Sequence, residues 1–269
     1  MGTLGQIQVR VISLTNDTRL LPGLRTVFED VEISEGVDLR HLSARQLLEA
    51  GYIGELGYDN IQLNSKRSHR DFKKSSSVGV AQAYLKAIAT DVNVPLLLIE
   101  EDALLNYGRL REEVDVLLQH EDLFDIAIFG CSILEGPETS VASGVLPPRW
   151  RVPSSSTRFM LTHCVLYMPS GRKYAYQMLQ RPLNMHFDYL LSIEASLGNV
   201  RCVVTQDGSF ARQKFSMDSK HTCWLCFLPH KFPLQWFLVA VVIAAVVLWR
   251  VKMAEYGRCE KRIQHLKNA

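Results

Sequence analysis

The stretch that most constrains the fold is 95–105, which reads P-L-L-L-I-E-E-D-A-L-L. A short apolar run, 95–99, is followed at once by three acids, Glu100, Glu101 and Asp102. A run of this length predicts a strand that is buried on both faces, as in the middle of an α/β sheet. The acids then lie at the carboxyl end of that strand, where open α/β sheets bind their ligands.

The three acids divide between the two sides of the predicted strand. Because side chains alternate along an extended chain, Glu100 and Asp102 should face one side and Glu101 the other. Two carboxylates on one face can hold a divalent cation and leave positions for water and phosphate oxygens. The alternative, which the acidic run taken alone favours, is a strand that simply ends in a charged turn or at the start of a helix.

Predicted strands and helices alternate along the chain. Strands are expected at 8–14, 27–33, 95–99, 125–131, 159–168 and 200–205, and helices at 39–50, 78–90, 107–120, 172–180 and 184–197. The stretches 51–65 and 132–156 carry glycine, asparagine or proline and are predicted to be loops. This alternation predicts an α/β domain over about residues 1–220, with a mainly parallel sheet and helices on both faces.

The composition is that of an ordinary globular protein, with 47% hydrophobic and 22% charged residues. The net charge of +2 is too small to indicate a nucleic-acid partner. Three of the six cysteines, Cys131, Cys164 and Cys202, lie in or beside apolar runs, as buried thiols do. This placement suits a reducing compartment, although an even number of cysteines leaves disulfides open.

Residues 232–249 form a run of 18 residues without a charge, flanked by Lys231 and Arg250. As a helix at about 1.5 Å per residue, the run spans about 27 Å, which is enough to cross a thin bilayer core. Trp236 and Trp249 lie near its two ends, as aromatic residues at membrane interfaces do. We therefore predict a single transmembrane helix here, with a buried core helix as the alternative.

Two short segments flank this predicted helix. The segment 221–231 is expected to be a juxtamembrane linker, and 250–269 a short basic tail. The linker carries His221, Cys223, Cys226 and His230. Zinc binding, palmitoylation of a cysteine and plain packing against lipid all remain open for this cluster.

The orientation of the predicted helix is inferred from the start of the sequence. Residues 1–14 contain Arg10 and no apolar stretch long enough for a secretory signal. We therefore expect a tail-anchored protein of a viral or host internal membrane, with the domain 1–220 in the cytosol. Six Lys or Arg residues within 20 residues after the helix, against four before it, favour a cytosolic tail instead.

Four blocks of the sequence, taken in order, resemble glycosyltransferase family 25, the lipooligosaccharide-type sugar transferases with a GT-A fold. They are 11–19 (V-I-S-L-T-N-D-T-R), 78–86 (V-G-V-A-Q-A-Y-L-K), 98–103 (L-I-E-E-D-A) and the late block 162–188. The resemblance rests on their order and spacing over about 200 residues. It departs from the family pattern where Ala83 and Tyr84 replace Ser-His, and where Glu101 replaces the middle Asp.

The resemblance implies transfer of galactose or glucose from a UDP-sugar to a hydroxyl of a glycan, glycolipid or protein acceptor. It places Glu100 and Asp102 on a Mn²⁺ or Mg²⁺ ion that neutralises the leaving diphosphate, and makes Asp188 the base that deprotonates the acceptor. The residues implied to contact the nucleotide-sugar donor are Ile12, Leu14, Arg19, Gly79 and Tyr84. The alternative is a catalytically degenerate domain that serves as a membrane-anchored structural or assembly protein, for example of a virus particle.

Overall fold

The computed structural model describes residues 7–62, 75–89, 93–135, 140–141, 145–160 and 162–213. All of these residues belong to one unit, Met1–Lys214. The predicted linker 221–231, transmembrane helix 232–249 and basic tail 250–269 lie outside the described residues. Among the helices that are described, none combines the length and apolar character needed to cross a bilayer.

Strands and helices alternate through most of the described chain, which confirms the predicted mixed α/β class. The strands are β1 (Gln8–Ser13), β2 (Val31–Glu35), β3 (Leu96–Glu100), β4 (Ala103–Leu105), β5 (Ile126–Ile128), β6 (Ser132–Glu135), β7 (Ser140–Val141), β8 (Arg151–Val152), β9 (Arg158–Met160), β10 (Cys164–Tyr167), β11 (Cys202–Val204) and β12 (Ala211–Gln213). The helices are α1 (Leu21–Arg25), α2 (Ala44–Glu49), α3 (Glu55–Gln62), α4 (Ser75–Ile88), α5 (Tyr107–Leu118), α6 (Pro169–Leu179) and α7 (Phe187–Ser196).

Eight strands form the central sheet, in the order β2-β1-β3-β10-β5-β11-β8-β7. β1 pairs in parallel with β2 and β3, and β5 pairs in parallel with β11. β10 lies between β3 and β5 and is antiparallel to both, so β3 and β5 run in the same direction. The centre of the sheet is therefore mainly parallel, with one antiparallel strand inserted. The pairs β4–β12 and β6–β9 form two small separate sheets.

The central strand β3 is buried on both faces of the sheet. Leu96 and Leu98 pack in one hydrophobic cluster, and Leu97 and Ile99 pack in a second cluster on the other face. The first cluster contains residues of α2, α4, α6 and α7, and the second contains residues of α1 and α5. Helices therefore cover both faces, and the continuous apolar run of β3 follows from its position between them.

Local signals located some elements well. Ser43 begins α2 as its N-cap and forms a capping box with Gln46, in which each side chain bonds the backbone of the other residue. Cys131, Cys164 and Cys202 are buried free thiols, as their apolar surroundings indicated. Burial raises the pKa of the Cys131 thiol to about 12, so this thiol is unreactive at neutral pH.

Other elements differ from the sequence prediction. The loop predicted over 51–65 is wrong, because it contains α3. In this helix Gly57 lies against the carbonyl oxygen of Leu183, and that close approach is a tertiary contact which local sequence does not show. The strand predicted over 159–168 divides into β9 and β10. The helix predicted over 172–180 begins three residues earlier, because Pro169 occupies the first position of α6, where its fixed φ suits a helix.

A buried arginine holds the amino-terminal edge of the sheet. Arg172 of α6 is fully buried, and its Nε donates to the Ile88 carbonyl at 3.0 Å. Its Nη1 donates to the Val94 carbonyl at 3.0 Å and to Oε1 of Gln8 at 3.1 Å. The guanidinium therefore joins α6 to the end of α4 and to the starts of β3 and β1. A cation at the carboxyl end of α4 is also favourable to the dipole of that helix.

Candidate active site

The acidic run lies where the strand order of the sheet reverses. β2 follows β1 in the chain and pairs on one side of it, whereas β3 pairs on the other side. Open α/β sheets bind ligands at the carboxyl ends of their strands beside such a reversal. The backbone N–H of Glu101 donates to the Ile12 carbonyl at 3.0 Å, and that of Glu100 donates to the His163 carbonyl at 2.9 Å. These bonds fix the acids between β1 and the segment before β10.

Glu100 faces the side of the sheet that carries α4 and α7. The hydroxyl of Tyr84, from α4, lies 2.8 Å from Oε1 of Glu100 and also contacts the carbonyl oxygen of Thr162. Burial, followed by the negative charges of Asp102 and Asp188, raises the pKa of Glu100 to about 8, against the lowering effect of the Tyr84 hydrogen bond. Glu100 therefore holds its proton more tightly than an exposed carboxyl does, and its environment would favour a positive ion close by.

Glu101 faces the opposite side and organises the loop after β1. Its Oε2 accepts a hydrogen bond from the Ser13 hydroxyl at 2.5 Å and another from the Thr15 hydroxyl at 3.4 Å. Ser13 is fully buried, and its Oγ accepts the backbone N–H of Asp17 at 2.7 Å. Glu101 thus has its hydrogen-bond partners in the 13–17 loop, whereas Glu100 has its own on the other face.

The negative charges of Asp102 and Asp188 both raise the pKa of Glu100. Both carboxylates therefore lie within electrostatic range of Glu100. Asp188 is in the first turn of α7, and its Oδ1 accepts the backbone N–H of Tyr189 at 2.9 Å. The ring of Phe187 lies 5.0 Å from the ring of Tyr84, so the start of α7 packs beside the residue that bonds Glu100. The fold therefore brings Asp188, from a distant part of the sequence, within electrostatic range of the acidic run at the end of β3.

The chemistry of these side chains suits a hard divalent cation. Carboxylate oxygens are the ligands that Mg²⁺ and Mn²⁺ prefer, and a cation would relieve the repulsion between neighbouring carboxylates. In the part of the chain that the structure describes, no group of three or more His, Cys, Asp and Glu side chains is arranged to hold a metal ion. A Mg²⁺ ion usually keeps several waters and needs only one or two protein carboxylates. Glu100 and Asp102 could supply these two ligands, with water and phosphate oxygens in the other positions.

Two of the residues predicted to contact a donor lie on the loop that follows β1. The guanidinium of Arg19 is exposed and forms an ion pair with Asp17. Hydrogen bonds from the side chain and backbone of Arg19 hold the pKa of the Asp17 carboxyl below its usual range. Leu14 is exposed and lies against Gly36. Both predicted residues are therefore exposed on the loop at the carboxyl end of β1.

The other predicted donor contacts are buried. Ile12 packs in the core beneath the sheet edge. Gly79 lies in α4 against the loop before α2, where an added Cβ would collide with the carbonyl oxygen of Val37. The structure gives these two residues packing roles. Tyr84 is fully buried as well, but its hydroxyl reaches the acidic site through Glu100.

The sequence prediction missed two participants in the site. Ser13 accepts two backbone N–H groups of the following loop and donates to Glu101. A small polar residue that ends an apolar strand and precedes the T-N-D-T turn was the available signal for it. Thr162 takes part through its carbonyl oxygen, and a backbone atom leaves no such signal in the sequence.

Comparison with known proteins adds no relative: no family model matches the sequence, and no curated protein matches it at a significant level.

The raised pKa of Glu100 predicts how stability depends on pH. In the unfolded chain this carboxyl titrates near 4.5, whereas in the folded protein it titrates near 8. The folded state holds the proton more tightly, so this group lowers the free energy of unfolding as the pH rises from 4.5 to 8. Glu100→Gln should therefore stabilise the protein at pH 8 by about 1–3 kcal/mol and change it little at pH 4.5.

Urea unfolding of wild type and Glu100→Gln at several pH values between 4.5 and 8 would measure this difference. Glu101→Gln is the matched control, since Glu101 faces the other side of the strand and bonds Ser13. An equal pH dependence of stability in wild type and Glu100→Gln would contradict the raised pKa.

Proposed function

We propose that this domain is a metal-dependent glycosyltransferase with a GT-A-like fold that moves galactose or glucose from a UDP-sugar to an acceptor hydroxyl. The observation that carries the proposal is the position of Glu100, at the end of β3, and of Asp102, in the turn that follows it, where the strand order of the sheet reverses. The negative charge of Asp188 acts on Glu100 from the first turn of α7. The four sequence blocks that resemble glycosyltransferase family 25 support the same assignment.

Glu100 and Asp102 are the residues that would hold a Mn²⁺ or Mg²⁺ ion. When bound, such an ion acts as a Lewis acid and stabilises the charge that develops on the departing UDP. The protein contributes the position of the two carboxylates, with Glu100 at the end of β3 and Asp102 in the turn that follows it. Glu101 contributes by fixing the 13–17 loop beside the crevice through Ser13.

Asp188 is the proposed general base. A base must lie within hydrogen-bond reach of the acceptor hydroxyl and must hold its carboxylate in a defined orientation. The hydrogen bond from the Tyr189 backbone to Oδ1 of Asp188 provides this orientation. The packing of Phe187 on Tyr84 holds the start of α7 at the acidic edge.

The acceptor in this proposal is a glycan, a glycolipid or a hydroxylated protein side chain. The apolar segment 232–249 would attach the protein to a membrane and keep the domain close to lipid headgroups. This arrangement favours a glycolipid acceptor, with the domain on the cytosolic side.

A structural role is the second candidate function. The Glu100 side chain already has a protein partner, because it contacts the Tyr84 hydroxyl, which in turn contacts the Thr162 carbonyl. Glu100 therefore has a hydrogen-bond partner within the protein even without a cation. A degenerate transferase-like domain with this network could serve as a membrane-anchored assembly protein.

UDP release distinguishes the two functions. The full-length chain would be incubated with Mn²⁺ and a panel of UDP-sugars, with and without simple glycoside acceptors. A transferase should release UDP faster than buffer alone, prefer one donor, and lose this activity when EDTA removes the metal. The absence of release with every donor, from protein that is folded, would favour the structural role.

A further inference from the structure

Tyr84 joins four segments that are far apart in the sequence. It lies on α4, its hydroxyl contacts Glu100 at the end of β3 and the Thr162 carbonyl before β10, and its ring packs on Phe187 at the start of α7. The side chain is fully buried. Burial of a hydroxyl costs free energy unless the hydroxyl is hydrogen-bonded, so these partners favour one position of the Tyr84 hydroxyl.

A second tyrosine in the same hydrophobic cluster provides a contrast. Tyr167 of β10 is also fully buried, but its hydroxyl has no hydrogen-bond partner among the described residues. Both tyrosines fill the core on the same face of the sheet. Of the two hydroxyls, only that of Tyr84 forms a hydrogen bond with a residue of the acidic site. Tyr167 shows that a tyrosine can fill this core without such a bond.

We propose that Tyr84 is the positioning residue of the acidic site. Its hydroxyl holds one oxygen of the Glu100 carboxylate, so that the carboxylate presents a defined orientation to a cation. Its ring sets the position of Phe187, and through it the position of the neighbouring Asp188. The proposal rests on the proposed function in one respect, namely that Glu100 binds a metal ion.

Binding of Mn²⁺ to the full-length chain tests this role. The concentration of free Mn²⁺ would be followed by electron paramagnetic resonance in the presence of UDP, for wild type, Tyr84→Phe and Tyr167→Phe. Loss of a hydrogen bond to a ligating carboxylate typically weakens metal binding 10- to 100-fold, and we expect about this increase in Kd for Tyr84→Phe. Tyr167→Phe should stay within about twofold of wild type, because the Tyr167 hydroxyl lies within electrostatic range of Glu100 but forms no hydrogen bond with it.

A thermal double-mutant cycle without metal separates this proposal from the proposed function. The Tm shifts of Tyr84→Phe and Glu100→Ala should be strongly non-additive because the two side chains are hydrogen-bonded, whereas those of Tyr167→Phe and Glu100→Ala should be much closer to additive. Unchanged Mn²⁺ binding by Tyr84→Phe, or additive Tm shifts for Tyr84 and Glu100, would overturn the positioning role. If wild type binds no Mn²⁺ while the Tyr84–Glu100 shifts are non-additive, the metal function fails and the positioning of Glu100 stands.

Discussion

Asp102→Asn is expected to lower the rate of metal-dependent UDP release at least about 100-fold, because it removes one of the two proposed metal ligands. Glu101→Gln should change that rate less than about threefold. The amide oxygen of the introduced glutamine can still accept the Ser13 hydroxyl, and the 13–17 loop would keep its anchor. Steady-state rates with the preferred UDP-sugar at saturating Mn²⁺ would measure both effects.

The pair of variants is matched in position and in chemistry, since each exchanges a carboxylate for its amide within the same acidic run. A large loss in Glu101→Gln together with a small loss in Asp102→Asn would show that the metal lies on the other face of the strand. In that case Glu101, and not Asp102, would be the metal ligand.

Arg172→Met should destabilise the domain by about 3–5 kcal/mol. Methionine keeps much of the side-chain volume but leaves the Ile88 and Val94 carbonyls without their buried donor. Lys173→Met is the matched control, because Lys173 is the next residue of α6 and is exposed. Its substitution should change the free energy of unfolding by less than about 0.5 kcal/mol, as is usual at the surface.

Urea unfolding of the two variants would provide these values. Similar stabilities for Arg172→Met and wild type would mean that Arg172 does not hold the edge of the sheet. A comparable loss in Lys173→Met would point instead to a general sensitivity of α6.

Much of the fold could be predicted from the sequence, because the signals of its central elements are local. An apolar run indicated the position of β3, and the helix predicted over 39–50 contains α2. Placement of the antiparallel β10 between β3 and β5 depends on pairings between distant segments, which strand–helix alternation does not determine. The sequence prediction missed α3 for the same reason. Gly57 lies in this helix against the carbonyl oxygen of Leu183, which is a contact between distant segments.

The candidate site could be predicted in part. The strand-end rule located Glu100 and Asp102, and the resemblance added Asp188, which the structure places within electrostatic range of Glu100. The contact between Tyr84 and Glu100 could not be predicted from the sequence, because the Tyr84 hydroxyl reaches Glu100 only through the packing of α4 on the sheet. Contacts made by long buried side chains require the assembled fold.

Thermal unfolding with Mn²⁺ and UDP tests most directly whether the acidic edge is a nucleotide–metal site. At a hundredfold excess over the dissociation constant, binding to the folded state adds about 2.7 kcal/mol to the free energy of unfolding. For a domain of this size the Tm should rise by roughly 5–10 °C, and Asp102→Asn should lose most of that rise. An unchanged Tm of wild type with Mn²⁺ and UDP together would contradict the transferase account.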